Sequence, residues 1–481
     1  MSRVLVTHNY HLALDPREAA LARPYPPLGT LVAAANARQQ GHDVSVYDPT
    51  LDGGPRAFAR ALEGHDTVAI VADDHSVPQK QCLSSMRRAA FGMIAQAREH
   101  GARVLCSGPD ASDSPDAYLQ AGAQSTVSGE VCEALVEWLN GEDAIQGVHG
   151  EQGAGGRRSV IEELGRLPSP AWDLCDLEPY ARTWRQHHGT WELNIWTARG
   201  CPYRCNWCSK PTWGRTYNVR SPQAVAADIA HVREHYGPDR IWFTDDIFAI
   251  RPGWLREFRS ALDAPIPYRC LNRVDLVRDG SYTDDLAATG CDEVWVGAES
   301  GSDRILAAMD KETTVEEIRA ATQVLRSREI RVGFFLQLGY PGESLRDVMS
   351  TVRLVQELGP DQIGVSVSYP LPGTPFHDYV SASMKTTNWQ ASMDNAPLYE
   401  APYSADFYGA AKEVLRSTCS ARHAPQALAR LVTQPSRRNA RSLAGSLYHA
   451  TRLPWVHGQM VRFARQNPYA VPLTWSETTG R

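Results

Sequence analysis

Two stretches of the chain share one hydrophobic rhythm. From residue 1 to about 140, short apolar runs alternate with longer segments whose apolar positions recur at helical spacing. Apolar strands separated by amphipathic helices predict a parallel sheet covered on both faces. The expected strands are Arg3–Thr7, Val44–Asp48, Thr67–Ala72, Arg103–Ser107 and Ser125–Ser128, with helices near 29–40, 55–63, 85–100, 114–121 and 131–139. This is a doubly wound unit of five strands and five helices, and such sheets bind ligands beyond the carboxyl ends of their strands. Those ends carry THNY (7–10), DDHS (73–76), SGPDAS (107–112) and SGE (128–130), small polar segments that would let a large ligand come close to the backbone.

The rhythm resumes from Glu192 to about Pro370. Strands are expected at Asn194–Ala198, Arg240–Thr244, Tyr268–Leu271, Glu293–Gly297, Val332–Leu338 and Gln362–Ser368, with helices near 222–236, 253–262, 282–289, 315–328 and 345–358. Right-handed crossovers would curl these units into a partial barrel with its site at the carboxyl ends of the strands. Between the two blocks, GEDAIQGVHGEQGAGGRRS is too poor in large apolar residues to bury much surface and is expected to be a linker or a loose edge. The predicted fold class is therefore α/β. It comprises a Rossmann-like domain (1–140), a linker (141–190), a partial six-unit β/α barrel (191–375) and a mainly helical carboxyl-terminal region (376–481). The last region holds runs such as ADFYGAAKEVLRST and NARSLAGSLYHATR.

At 481 residues and 43% hydrophobic, the chain can fill two or three cores. A net charge of −6 gives no reason to expect nucleic acid as a partner. No apolar run approaches the roughly 18 residues of a membrane span, and the start MSRVLVTHNYHLALD lacks a signal pattern, so a cytoplasmic protein is expected. Charge is unevenly spread: residues 416–481 hold ten Arg, no Lys and one acidic residue, a block of +9 against −15 for the rest. A solvated cationic helix face packed on an acidic barrel accounts for it. An anionic substrate, an acidic carrier protein or anionic lipid would also answer to it. Trp389, Trp455 and Trp475 are expected to line a pocket or fill core.

Ten cysteines are too dilute for a disulfide scaffold, yet three crowd into RGCPYRCNWCSK as Cys201, Cys205 and Cys208, spaced CxxxCxxC. Three thiolates on one tight loop can hold three corners of a four-iron, four-sulfur cubane and leave one iron open for chemistry. Structural zinc wants four ligands, usually as paired CxxC units. No such partner pair lies at sensible spacing, and only His187 and His188 stand nearby.

CPYRCNWC, with Trp207 ahead of the third cysteine, resembles the signature of the radical S-adenosylmethionine superfamily. The resemblance implies that the open iron chelates S-adenosylmethionine, which an electron from an external flavodoxin- or ferredoxin-type donor cleaves to methionine and a 5′-deoxyadenosyl radical. Other segments resemble that family in strand order. IWFTDDIF makes Asp245 and Asp246 candidates for binding the cosubstrate, and CLNRVDLV places Arg273 and Asp275 after the third strand. VWVGAESGSDRIL would bring Glu299 and Ser300 to the ribose, and FFLQLGYPGES would bring the backbone at Gly339 to the adenine. Each also has an ordinary reading as a helix cap, a surface ion pair or a turn.

PYPPLGTLVAAANARQQGHDVSVYDP, followed by the SGPDAS and SGE turns, resembles the cobalamin-binding domain that precedes the barrel in one branch of the superfamily. That implies contacts to the nucleotide tail of cobalamin at Ser76, Gly108, Pro109, Gly129 and Glu130. No GxGxxG follows Thr7, which argues against NAD or FAD. DxHxxG is absent too, so none of His8, His11 or His75 is expected to ligate cobalt from below.

Together these resemblances imply a cobalamin-dependent radical enzyme. It would methylate an unactivated carbon of a small molecule or natural-product precursor through methylcobalamin and a 5′-deoxyadenosyl radical. No catalytic side chain is singled out. The alternatives are an oxidase, cyclase or rearrangement enzyme with the same cofactors, and a non-catalytic iron–sulfur or corrinoid carrier. Methylthiolation of tRNA would want further amino-terminal cluster cysteines, and Cys82, Cys106 and Cys132 are scattered.

Overall fold

The computed structural model describes residues 3–52, 54–72, 83–208, 216–387 and 396–466. The chain divides into two compact units, one of residues 1–203, 209–268 and 388–394, the other of residues 204–208, 269–387 and 395–481.

In the first unit, β1 (Arg3–Thr7) pairs in parallel with β2 (Asp43–Tyr47) and with β3 (Thr67–Val71). β4 (Arg103–Ser107) and β5 (Ser125–Val127) continue the sheet in parallel, giving the order 2-1-3-4-5 of a doubly wound fold. Leu5, Val68, Ile70 and Val104 pack with Phe58, Ile94 and Tyr118 from the covering helices. Small residues explain the helix Leu28–Gln39, whose first ten positions are all buried and whose Thr30 hydroxyl donates to the Val71 carbonyl at 2.8 Å.

The segment expected as a linker or loose edge is folded. Val148–Gly150 forms β6 and closes the sheet antiparallel to β5, while Ile145–Gln146 pairs with Gly153–Gly155. Its glycines replace side-chain burial with backbone packing. A Cβ on Gly150, which has φ +88°, would lie 2.3 Å from the Gln124 carbonyl oxygen, and one on Gly153 would lie 2.2 Å from that of Val148. Composition registers side chains and misses this. Farther on, the helix Glu178–His188 buries Tyr180 and Trp184.

The first unit carries the barrel strands β7 (Glu192–Ile195) and β8 (Arg240–Phe243), and the second carries β9 (Tyr268–Asn272), β10 (Cys291–Glu299), β11 (Arg331–Leu338) and β12 (Gln362–Val367), ordered within each unit as they occur in the chain. The pairs β7–β8, β10–β11 and β11–β12 are parallel. The first strand is shorter than expected: it ends at Ile195, and Ala198–Arg199 instead pairs antiparallel with Asn218–Val219. In the second unit, the helices Val315–Arg326 and Leu345–Leu358 each begin with a reciprocal capping box, Thr314 with Glu317 and Ser344 with Asp347.

After the short helix Pro375–Val380 come the helices Ala405–Arg422, Ala424–Thr433 and Arg437–Gln466. Ala405–Arg422 buries Phe407, Tyr408, Val414 and Leu415. Trp455 neither fills core nor lines a buried pocket: it is 58% exposed, with the Arg452 guanidinium 5.5 Å from its ring centroid. Trp389 and Trp475 lie outside the described residues. Among the described residues no helix is long and apolar enough to cross a membrane.

Because Gly150 meets backbone, Gly150→Ala should destabilise the protein by about 1–3 kcal/mol through steric and left-handed strain. Gly165→Ala, with nothing within 4 Å of its added carbon, should be neutral. Denaturant midpoints of the two variants check this, and equal midpoints would return the segment to a loose edge.

Candidate functional site

The cysteine loop leaves the barrel through a stem fixed by two buried carboxylates. Asp245, just past β8, accepts the N–H groups of Thr197 and Ala198 on Oδ1 at 2.7 and 2.9 Å and takes the Thr197 hydroxyl on Oδ2. Burial pushes its carboxyl up to about 7, against the opposing pull of those hydrogen bonds. Asp245, expected at the cosubstrate, is met in this structure by the stem at Thr197 and Ala198. Asp246 beside it is half-buried.

Glu130 is likewise turned inward. One carboxylate oxygen lies 2.5 Å from Nη1 of Arg199, and the other accepts the Cys132 N–H at 3.1 Å; both charged side chains are buried. The Arg199 guanidinium also stands 4.8 Å from the Trp196 ring centroid, as does that of Arg220, which pairs with Asp228 at 2.7 Å. Glu130, expected at the cobalamin tail, is thus paired in this structure with the residue two before Cys201.

Cys201 is buried, Cys205 and Cys208 are half-buried, and none of the three forms a disulfide with another described cysteine. Among the described residues no three His, Cys, Asp or Glu side chains are gathered in ion-holding geometry.

In the second unit, positive charge faces the loop. Arg273, after β9, lies with Nη1 3.9 Å from the sulfur of Cys205, pairs through Nε with Asp275 at 2.8 Å and donates through Nη2 to the Lys311 carbonyl at 3.1 Å. Lys311 is buried, 2.9 Å from Glu299, with its ammonium 6.0 Å from the Trp207 ring centroid. Burial works against its charge, but Glu299 and Cys205 outweigh it, and its pKa is raised. The ammonium and the Glu299 carboxylate occupy the space over Gly297, where a Cβ would lie 2.5 and 2.6 Å from them. Glu299 itself sits at φ +54°, where the register of β10 against β11 slips.

The other expected contacts serve the protein first. Ser300 is fully buried, with its hydroxyl 3.4 Å from that of Thr351 and accepting the Ser302 N–H at 3.2 Å. Gly339, at φ +82°, donates its N–H to Glu343 at 2.6 Å, and its carbonyl accepts the Tyr399 hydroxyl. Both backbone groups expected to meet adenine are therefore engaged. Burial raises the Glu343 carboxyl to about 8, with the Gly339 N–H pulling the other way, and its second oxygen is buried without a partner.

At the ends of the first sheet, the glycines answer to the protein's own chain. A Cβ on Gly108 would fall 2.5 Å from that of Ala72, and one on Gly129 would fall 2.3 Å from the Arg158 carbonyl oxygen. Pro109 is buried at the start of the short helix Pro109–Asp113. Ser76 lies outside the described residues. His8 has neither ring nitrogen free: Nδ1 accepts the Tyr10 N–H at 3.1 Å and Nε2 faces Asp48 at 2.9 Å. Burial would raise Asp48, but hydrogen bonds from His8, Tyr180 and the Thr50 N–H hold it at about 2.

The donor chemistry suits an anionic iron–sulfur cluster with an amino-acid carboxylate beside it: three thiols on one loop, a guanidinium at one sulfur and a buried ammonium. Lys311 escaped the sequence reading although a signal was present. The chain has five lysines against 44 arginines, and this one lies five residues after the fourth-strand segment VWVGAESGSDRIL.

Residues 197–355 match the model of the Radical SAM superfamily. An uncharacterized methyltransferase of Pyrococcus horikoshii is 26% identical over 407 residues, covering 79% of this chain and 85% of its own. The radical S-adenosylmethionine methyltransferase TsrM of Kitasatospora setae, solved with cobalamin and a four-iron, four-sulfur cluster, superposes with a TM-score of 0.62 at 20% identity, over 79% of this chain and 78% of that one. OxsB, a cobalamin-dependent S-adenosylmethionine radical enzyme solved with aqua-cobalamin, gives 0.69 at 15% identity, over 95% and 72%. Residues 197–355 thus resemble a radical SAM domain, and the chain has the fold of these two solved enzymes.

Two outcomes follow from the buried acids. Asp245→Ala strands two buried N–H groups and should cost about 2–4 kcal/mol, whereas Asp245→Asn keeps the acceptor and should cost under about 1 kcal/mol; urea unfolding compares them. Glu343 binds its proton more tightly folded (about 8) than unfolded (4.5), so its contribution to stability is full below pH 4.5 and lost as pH rises to about 8. Melting temperatures across pH 5–9 should therefore fall less steeply in Glu343→Gln than in the wild type, and parallel curves would refute the assignment.

Proposed function

We propose that this protein is a cobalamin-dependent radical S-adenosylmethionine enzyme that methylates an unactivated carbon of a small molecule. The observation that carries the reading is the CxxxCxxC loop at the end of the first barrel strand, with the Arg273 guanidinium at the sulfur of Cys205. When bound, the cluster with S-adenosylmethionine supplies a hydrogen-abstracting radical and cobalamin supplies the methyl group.

The chain's own part is to bind and to orient. Cys201, Cys205 and Cys208 would hold three irons. Arg273 offers a charge-assisted hydrogen bond to the Cys205 sulfur. Lys311, locked by Glu299, presents a fixed positive charge suited to the carboxylate of the cosubstrate, and Trp207 presents a ring beside it. Asp245 and Glu130 fix the stem of the loop at Thr197, Ala198 and Arg199, so that the cysteines leave it from one backbone conformation. Residues 1–140 would take cobalamin at the strand ends around Gly108, Pro109 and Gly129. Residues 191–375 would form the radical barrel and 376–481 its cover. An electron donor of the flavodoxin or ferredoxin type completes the set.

Anaerobic reconstitution with iron, sulfide and hydroxocobalamin, followed by spectra and by product analysis with S-adenosylmethionine, cobalamin and a reductant, tests this. The expected products are 5′-deoxyadenosine and S-adenosylhomocysteine together with methylated substrate. Deoxyadenosine without methylation would redirect the reading to oxidation, cyclisation or rearrangement, and a single tetrahedral zinc or a cluster capped by four thiolates would end it. Cys205→Ala should abolish deoxyadenosine formation while leaving corrinoid binding largely intact; equal loss of both would contradict separate sites.

A further inference from the structure

The second unit holds a cavity of about 790 Å³ away from the cysteine loop, between the three carboxyl-terminal helices and the barrel. Six guanidinium groups line it, those of Arg326, Arg331, Arg416, Arg422, Arg430 and Arg441, with Asp361 the one acidic residue of the lining. Arg331 and Gln362 open β11 and β12, so the cavity sits at the amino-terminal ends of these strands. The eight residues of β11 put about 26 Å of strand between it and Gly339 at the other end. A ligand here is not the reacting substrate.

Not all of the charge is available. Arg331 is neutralised by Asp292 at 3.0 Å and Glu293 at 2.9 Å, and Arg326 donates to the Gly359 carbonyl at 2.5 Å. Asp361 accepts the Val332 N–H at 2.9 Å. Arg430 and Arg441, both exposed, have no acidic partner among the described residues. They stand on the helices Ala424–Thr433 and Arg437–Gln466, and Ser442, next to Arg441, and Ser446, on the same helix, also line the cavity. Helix surfaces that repel one another across an open volume are stabilised by an anion between them.

We propose that this cavity binds a small phosphate-bearing polyanion. Its volume lies within the roughly 300–1,000 Å³ of small-molecule sites. Planar guanidinium forks match phosphate oxygens two at a time, and the neighbouring serine hydroxyls add neutral donors. The site gives the basic carboxyl-terminal block a role that the methyl-transfer reading leaves unused, and it stands independently of that reading.

Calorimetric titration of the full-length protein with inorganic tripolyphosphate at low salt is the test. One saturable site is expected, weakened at least tenfold in the double variant Arg430→Ala/Arg441→Ala. The control Arg256→Ala/Arg259→Ala removes the same charge from an exposed helix face of the other unit and should leave affinity within twofold. Pyrophosphate and ADP titrated in parallel separate a bare polyphosphate from a nucleotide, and binding of either that is lost in the cavity variant supports the site. The proposal is overturned if the wild type shows no saturable binding, if the cavity variant binds as the wild type does, or if the control loses as much affinity as the cavity variant.

Discussion

A carboxylate taken out of water has to be met by donors from the protein, and at the stem of the cysteine loop this requirement sets the backbone. Asp245 is buried, and two N–H groups and a hydroxyl of Thr197–Ala198 answer it. Removing those donors would leave a desolvated acid, so the stem has one low-energy path rather than several. Glu130 imposes the same condition one residue later, through Arg199. The two acids come from different sheets of the first unit, one following β5 and the other β8, and both act within a few residues of Cys201. The place where the loop begins is therefore a property of both sheets.

The rest of the loop is held in the second unit by an amide whose capacity is fully used. Asn206 donates its backbone N–H to the Met309 carbonyl and its side-chain amide to Ala308 and Asp310, while its side-chain oxygen accepts from Tyr340 and its backbone carbonyl from Phe376. With every group of Asn206 committed, Cys205 on one side and Cys208 on the other are presented by a fixed pivot. Backbone strain collects around the charged partner of that pivot. Glu299, Asp310 and Glu312 all have positive φ, at 54°, 49° and 53°, and Lys311 lies between the last two. Such positions cost about 1 kcal/mol or more each and persist where surrounding contacts dictate them. Here they set the buried lysine against Glu299 and near Trp207.

The alternation of strand and helix was legible because a parallel sheet writes its burial directly into apolar runs, and the cysteine motif because three soft donors within eight residues have few other uses. Roles at strand ends were not legible. Asp245, Ser300 and Gly339 stand where a ligand would be met, but the same places must also anchor loops, and a polar residue suits either task. Only coordinates show that Asp245 faces the backbone of Thr197 or that Gly339 is bonded to Glu343. The glycine-rich stretch before Arg158 was misread for a different reason. Its stability lies in main-chain contacts such as Gly150 on Gln124, which leave no trace in side-chain hydrophobicity.

The acids of the second unit are sorted by what lies beside them, and the sorting bears on what the loop can hold. Glu299 has an ammonium 2.9 Å away, and Asp275 has the guanidinium of Arg273 at 2.8 Å, so each stands against a basic group. Glu343 has the Gly339 N–H as its one hydrogen-bond donor among the described residues, and burial pushes its pKa to about 8, which keeps it largely protonated at neutral pH. Its loop is tied through Tyr340 to Asn206 in the middle of the cysteine motif. Were Glu343 ionised there, its negative charge would add to that of the thiolates and oppose an anionic cluster. Held neutral, it lets the loop be anchored by an acid without that electrostatic cost, and the positive ends of Arg273 and Lys311 remain the groups that face Cys205.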